Sequence, residues 1–352
     1  MRRKAELVRR TIVIVTSVAA IVVVVIVVAT SAGSSKKSAS GVTLTLYSGQ
    51  HPETVAALAT AFTKLTGINV SVRSADEGVL AAQIIQEGSH SPADVFMTEN
   101  SPPLEALQQR GLLAQVDAST LAMTSAAYSS PRKDWEGVSA RVSTMVYNTN
   151  DLKSSQLPRS VLELANPKWN GKLALAPGET DFQPIVTAVA ARYGQARAVT
   201  WLKGIRANAG NHIYPDNEAL VAQVNSGQVA LGVINHYYWF RLRDEVGASN
   251  IHSAEKFFAP RDPGYVLDVA GAGLLASSSH KPQAQKFLAF IVSRAGQEII
   301  AHDESYEYPL GSGVVTAKPL VPFSTLKPNP ITVAQLGDGA LAISLLREAS
   351  LL

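Results

Sequence analysis

The sequence has no cysteine among its 352 residues. That absence excludes a disulfide framework, thiolate zinc and iron–sulfur sites, a cysteine nucleophile and a lipid-modified cysteine. Any metal held by this chain must be held by oxygen and nitrogen. Charged residues are few, at 17%, and apolar ones make up 46%, a globular composition with material for two cores at this length. Glycine and proline, at 24 and 18, are too ordinary in number for a collagen-like or low-complexity chain. A Gly-x-Ser-x-Gly elbow, a His-Glu-x-x-His pair and a P-loop are all missing, so the sequence reads as a binding protein rather than an enzyme.

Charge of one sign is also scarce once its position is considered. The formal net charge is +3, but residues 1–32 hold Arg2, Arg3, Lys4, Arg9 and Arg10 against Glu6, a net of +4. The remainder therefore carries −1 and offers no electrostatic reason for a nucleic-acid partner. Behind the basic head, Thr11–Ala29 runs without a charge, and Ile21–Val28 is only Ile and Val. Such a stretch lacks amphipathic period and reads as a secretory signal peptide or an N-terminal signal anchor over 1–32. It is long enough to span a bilayer, and small residues near Ala29–Ala32 would also admit cleavage. Residues 33–41 read as a flexible linker. The rest of the chain is expected outside the cytoplasmic membrane, tethered there if the segment is retained.

The exported part alternates short β-branched runs with helical spacings. Val42–Tyr47 predicts a strand, and Val55, Leu58, Ala59, Phe62 and Leu65 predict a helix between Pro52 and Gly67. Ile68–Val72 and Ala93–Met97 read as further strands, with helices over Val79–Gln86 and from Pro103. The rhythm restarts at Arg141–Tyr147 and continues through Leu173–Ala176, Gln183–Tyr193 and Val229–Ile234. Val266–Val269, a helix over Pro282–Ser293 and a last helix within Thr332–Ala349 close the chain. This pattern predicts an α/β fold with a mostly parallel sheet, in two lobes with a cleft between them.

Open α/β sheets bind ligands beyond the carboxyl ends of their strands. Three such ends carry metal-competent side chains: His51 after the first strand, Glu99 after Ala93–Met97, and Tyr237 and Tyr238 after Val229–Ile234. Taken singly, the histidine reads as a cap, the glutamate as a helix-start residue and the tyrosines as packing. Together they offer one imidazole, one carboxylate and two phenols. That set suits a hard trivalent cation, whose field ionises phenols, better than zinc, copper, calcium or magnesium. Adjacent tyrosines would face opposite sides of a strand, but on a first helical turn they diverge by only about 100°. A strand-to-helix junction is therefore expected at Asn235-His236. His90, His212, His252, His280 and His302 carry no partner pattern and read as surface or capping residues, and His236 is expected to point away from the phenol site.

With these residues in view, the chain resembles the ferric-iron-binding proteins of bacterial ABC importers, from about Val42 to about Pro328. The markers are Tyr47-Ser48-Gly49-Gln50-His51, Asp94-Val95-Phe96-Met97-Thr98-Glu99, Arg141 through Tyr147-Asn148-Thr149, Asn166 through Lys172, Asn235-His236-Tyr237-Tyr238-Trp239 and Tyr306-Glu307-Tyr308-Pro309. The resemblance implies a two-lobed type II periplasmic-binding-protein fold, its ligand cleft between lobes joined by two hinge crossings. It places lobe 1 at 42–143 and 268–318, lobe 2 at 144–267, and a helical segment packing on the lobes at 319–352. It implies Fe³⁺ as transported ligand on His51, Glu99, Tyr237 and Tyr238, with carbonate or phosphate as synergistic anion near Arg141, Asn217 and Asn235. Permease and ATPase subunits are the implied partners of a monomer that receives ferric iron or a ferric chelate. Glu179 and Asp181 depart from the family pattern, because two carboxylates beside an anion would repel it; either they turn away, or the anion is weak, different or absent. Phe182 stands where some relatives use a third tyrosine. The alternative implied solutes of the same fold are a phosphonate, a sugar phosphate or a thiamine-like compound.

Overall fold

A computed structural model describes residues 41–311 and 313–352. The expected signal or anchor at 1–32, and the linker at 33–41 except its last residue, lie outside the described residues. The strands are β1 (Thr43–Ser48), β2 (Asn69–Ser74), β3 (Val95–Thr98), β4 (Leu113–Ala114), β5 (Trp135–Asn148), β6 (Leu173–Ala174), β7 (Leu231–Asn235), β8 (Ser253–Lys256), β9 (Leu267–Leu275) and β10 (Tyr308–Pro309). The helices are α1 (Pro52–Thr66), α2 (Glu77–Glu87), α3 (Ser101–Gln109), α4 (Ala118–Leu121), α5 (Gln183–Tyr193), α6 (Gln195–Ala209), α7 (Asn217–Asn225), α8 (His236–Val246), α9 (Lys281–Val292), α10 (Arg294–His302), α11 (Val333–Leu336) and α12 (Ala340–Glu348).

Local sequence explains the elements that carry the site. In α1 the residues Val55, Leu58, Ala59 and Phe62 repeat at helical spacing and are all buried. Burial of side chains such as Leu58 and Phe62 is worth about 1.5–3 kcal/mol each. Pro52 opens this helix, and Gly67, at φ 74°, ends it in the left-handed conformation that glycine adopts without steric penalty. Leu65, the fifth member of the expected stripe, is instead exposed on the last turn.

The strand order is β2-β1-β3-β9-β5-β7-β6, with β4 on β9 and both β8 and β10 on β5. The expectation of a mostly parallel sheet needs correction. Among the strands of the described residues, only β1 with β2, β1 with β3, and β6 with β7 pair in parallel, whereas β9 and β5 run antiparallel to their neighbours. Parallel pairing is confined to the strands joined by helices; β5 and β9 are long connectors that run against them. Residues Trp135–Val142 of β5 pair with β9, and Ser143–Tyr147 pair with β7. A single strand thus leaves one sheet and enters the other between Val142 and Ser143, after a bulge between Gly137 and Ser139.

The largest side-chain core runs past this crossing, from Phe96 and Trp135 to Leu173, Ile185 and Trp201, and two smaller ones flank it. One is built from Leu46, Val55, Leu58, Phe62, Val95 and Phe287, and the other from Val146, Leu220, Val224, Ile234 and Phe240. At the C-terminus, α12 packs on α5 and α6, and the short α11 touches both α3 and α5.

Candidate functional site

The strand β7 ends at Asn235 and α8 begins at once, so Tyr237 and Tyr238 sit on the first turn of a helix. Their ring centroids are 4.2 Å apart, and Tyr237 is fully buried. Although the rings pack among apolar neighbours, both hydroxyls point at acids. The Tyr237 hydroxyl lies 3.3 Å from Glu99 Oε2 and 3.3 Å from Asp181 Oδ2. The Tyr238 hydroxyl donates to the same Asp181 oxygen at 3.1 Å.

His51 and Glu99 approach from the other side. His51 caps α1 directly behind β1, and its Nδ1 is 3.2 Å from Glu99 Oε1. Its ring meets that of Tyr237 edge-on, 5.0 Å away. Glu99 is held from below by the buried carboxylate of Glu77. One Glu77 oxygen accepts the backbone N–H of Glu99 at 2.7 Å and of Asn100 at 3.0 Å, and the other accepts Asn100 Nδ2 at 2.8 Å. Gly49 makes this clamp possible, because a Cβ there would stand 2.5 Å from the Glu77 Cβ and 2.9 Å from its Cα.

Arg141, wholly enclosed on β5, lies between acids. Its guanidinium is 3.5 Å from Asp181 Oδ1 and 3.7 Å from Glu307 Oε1. Glu307 in turn accepts Gln50 Nε2 at 3.3 Å and the Ser139 hydroxyl. Asn217 donates to Asp181 Oδ2 at 3.4 Å. Asn235 is buried with neither side-chain polar atom hydrogen-bonded among the described residues, and the same is true of Asp268. His236 faces away from the phenols. The Val142 N–H points at its Nδ1 and the Tyr306 carbonyl at its Nε2, a neutral tautomer locked at the sheet crossing. Burial holds its pKa down at about 4.

Burial and neighbouring charge set the protonation states. Burial, followed by the charges of Asp181 and Glu99, raises the Tyr237 and Tyr238 phenols well above their ordinary value. Glu99 is pushed up to about 7 by burial, with Arg141 opposing the rise and Asp181 adding to it. Burial also lowers His51, with Glu307 opposing the fall and Arg241 and Arg141 adding to it. For Arg141, burial disfavours charge, but Glu307, Asp181 and Glu99 outweigh it and hold the guanidinium charged. Ionising both phenols here would require a cation of high charge between them.

Beside His51 a cavity of about 380 Å³ opens toward solvent, lined by Glu53, Asp244, Glu245 and Glu304 with Arg241 as its sole base. Sequence reasoning missed Glu77, Glu307 and Arg241. For Arg241 a signal existed, since it follows Tyr237 by four residues and shares its helix face. His280, read as a capping residue, sits at the N-cap of α9 with Nδ1 3.2 Å from Asp94.

Two α/β lobes with a ring of polar side chains closed between them define a binding protein that encloses a small solute. The chain belongs to the bacterial extracellular solute-binding proteins, whose family model matches residues 44–303. Its relatives are solute carriers and not enzymes. It is 38% identical over 309 residues to the Fe(3+)-binding periplasmic protein of Serratia marcescens, covering 88% of this chain and 90% of that one. It is 36% identical to the major ferric iron-binding protein of Neisseria gonorrhoeae, covering 88% and 93%. Among solved structures, iron-bound HitA from Pseudomonas aeruginosa superposes with a TM-score of 0.83 at 40% identity, covering 88% and 99%. A Trichodesmium IdiA (FutA) structure with iron and citrate ligands gives 0.77 at 31% identity, covering 87% and 99%. The fold is the two-lobed type II fold of these periplasmic proteins.

Proposed function

We propose that this chain is the extracytoplasmic solute-binding component of an ABC importer, and that its solute is Fe³⁺. One observation supports the reading: the Tyr237 hydroxyl faces Glu99, which touches His51, and shares the Asp181 carboxylate with the Tyr238 hydroxyl. Tyr237, Tyr238, Glu99 and His51 are the proposed ligands. Two phenolates and one carboxylate cancel three positive charges in a cleft of low dielectric, whereas a divalent ion would leave the site negative. The open protein would present the phenols of α8 first, and closure would add His51 and Glu99. The crossings in β5 and β9 are the proposed hinges, dividing 42–143 and 268–318 from 144–267. Loaded protein would then dock on the permease, which an ATPase drives.

Ferric phenolate absorbs in the visible, and none of the other solutes considered for this fold does. Full-length protein titrated with ferric citrate is expected to develop a red-to-purple band, which Tyr237→Phe weakens and shifts. Failure of the wild type to develop a band, or an unchanged band in Tyr237→Phe, would remove the iron assignment.

A further inference from the structure

Asp181 occupies the place where an exogenous anion was expected, and its carboxylate faces the phenols. It sits on the 3₁₀ turn Thr180–Phe182 that leads into α5. Its Oδ2 is within 3.1 Å of the Tyr238 hydroxyl, 3.3 Å of the Tyr237 hydroxyl and 3.4 Å of Asn217 Nδ2. Its Oδ1 faces Arg141 at 3.5 Å and Asn100 Nδ2 at 3.3 Å. We propose that Asp181 is itself an anionic ligand of the cargo, so that this protein holds Fe³⁺ without carbonate, phosphate or any other anion from solution. This rests on the ferric reading above and adds a protein ligand to it.

Three features of the surroundings support it. First, two of the groups expected near a free anion face the Asp181 carboxylate instead: the Arg141 guanidinium at 3.5 Å, without a hydrogen bond, and the Asn217 amide at 3.4 Å, while Asn235 makes no side-chain hydrogen bond among the described residues. Second, the start of α5 has few spare N–H groups to offer. The Phe182 N–H is bonded to the Glu179 carbonyl at 3.2 Å, the Gln183 N–H is bonded to the Thr180 carbonyl, and Pro184 has none. Third, a free anion would stand among the carboxylates of Asp181, Glu99 and Glu307 with Arg141 already shared between two of them. With Asp181 bound, Fe³⁺ and Arg141 offset the four anionic ligands Tyr237, Tyr238, Glu99 and Asp181. Glu307 is then matched by Arg241, whose Nη1 lies 3.4 Å from the intervening His51.

The test uses full-length chain in mild detergent, stripped of metal and loaded with ferrous perchlorate. Oxidation is carried out in carbonate-free, phosphate-free buffer with air scrubbed of carbon dioxide. The wild type is expected to develop its full visible band there, with its maximum unaltered by bicarbonate, phosphate or citrate at low millimolar levels. Asp181→Ser, which leaves room for a small anion, is expected to bind on the order of a hundredfold more weakly without anion. Added anion should restore its band, at a maximum that depends on the anion. Asp181→Asn keeps the shape but not the charge and should behave likewise, with weaker rescue. A wild-type band that forms only when anion is added overturns this inference alone and leaves the ferric reading standing. An anion-free band undiminished in both variants does the same. Absence of any band in the wild type, with or without anion, overturns both.

Discussion

Replacing Arg141 by methionine isolates the charge that the cleft relies on, because methionine keeps most of the apolar stem and discards the guanidinium. In the wild type that group lies 3.5 Å from Asp181 and 3.7 Å from Glu307 with no exposure to solvent. Removing one partner of such a buried network costs about 3–5 kcal/mol at neutral to alkaline pH. For a chain of this size that is roughly 5–8 °C in Tm. The loss has a pH signature. Glu77 and Glu99 are raised to about 7 and Asp268 to about 8, each by burial first, and Arg141 pulls all three down. Without the arginine their folded values climb further above the unfolded ones.

A carboxyl whose folded pKa exceeds its unfolded value binds more protons in the native state, so stability falls as pH rises through that interval. The Arg141→Met deficit is therefore expected to be smaller near pH 5, where Glu77, Glu99 and Asp268 are neutral, and to grow as pH rises through 7 and 8. Thermal and urea unfolding of metal-free protein at pH 5 and pH 8 measures this. An equal deficit at the two pH values would show that the damage is packing and not charge, and a negligible deficit at pH 8 would show that the acids are solvated.

Two further outcomes follow from the same geometry. Gly49→Ala places a methyl 2.5 Å from the Glu77 Cβ, so α2 must shift and release the clamp on Glu99. Iron affinity, read from the visible band under competition with citrate, is expected to fall by on the order of ten- to a hundredfold while the fold, read by circular dichroism, persists; unchanged affinity would detach Glu77 from the site. Because each ferric ion displaces two phenol protons, and in acid that of Glu99 as well, apparent affinity is expected to drop at least about a hundredfold per pH unit. Equal band titrations at pH 5 and pH 7.5 would contradict phenolate ligation.

Much of this site was legible because it depends on local geometry. A strand that stops at Asn235 and a helix that starts at His236 force neighbouring phenols onto one side, and this follows from 100° per residue alone. The helical stripe of α1 and its glycine stop are local in the same way. What could not be read depends on pairing at a distance. Tyr308 of β10 pairs with Ala140 of β5, which sets Glu307 opposite Arg141; neither segment encodes that register. Strand direction was misjudged for the same reason: the 14 residues of β5 are buried along their whole length, so hydropathy gives no clue to which neighbour runs which way. Asp181 is the instructive case. From sequence, a carboxylate beside an expected anion is a repulsion to be explained away. In the fold it lies within hydrogen-bonding reach of both phenols, and at that distance the same charge becomes a replacement for the anion. Which of the two a carboxylate does is decided by how its turn is held, to which Asn100 contributes by reaching across from the Glu77 clamp to Thr180 at 3.0 Å and Asp181 at 3.3 Å.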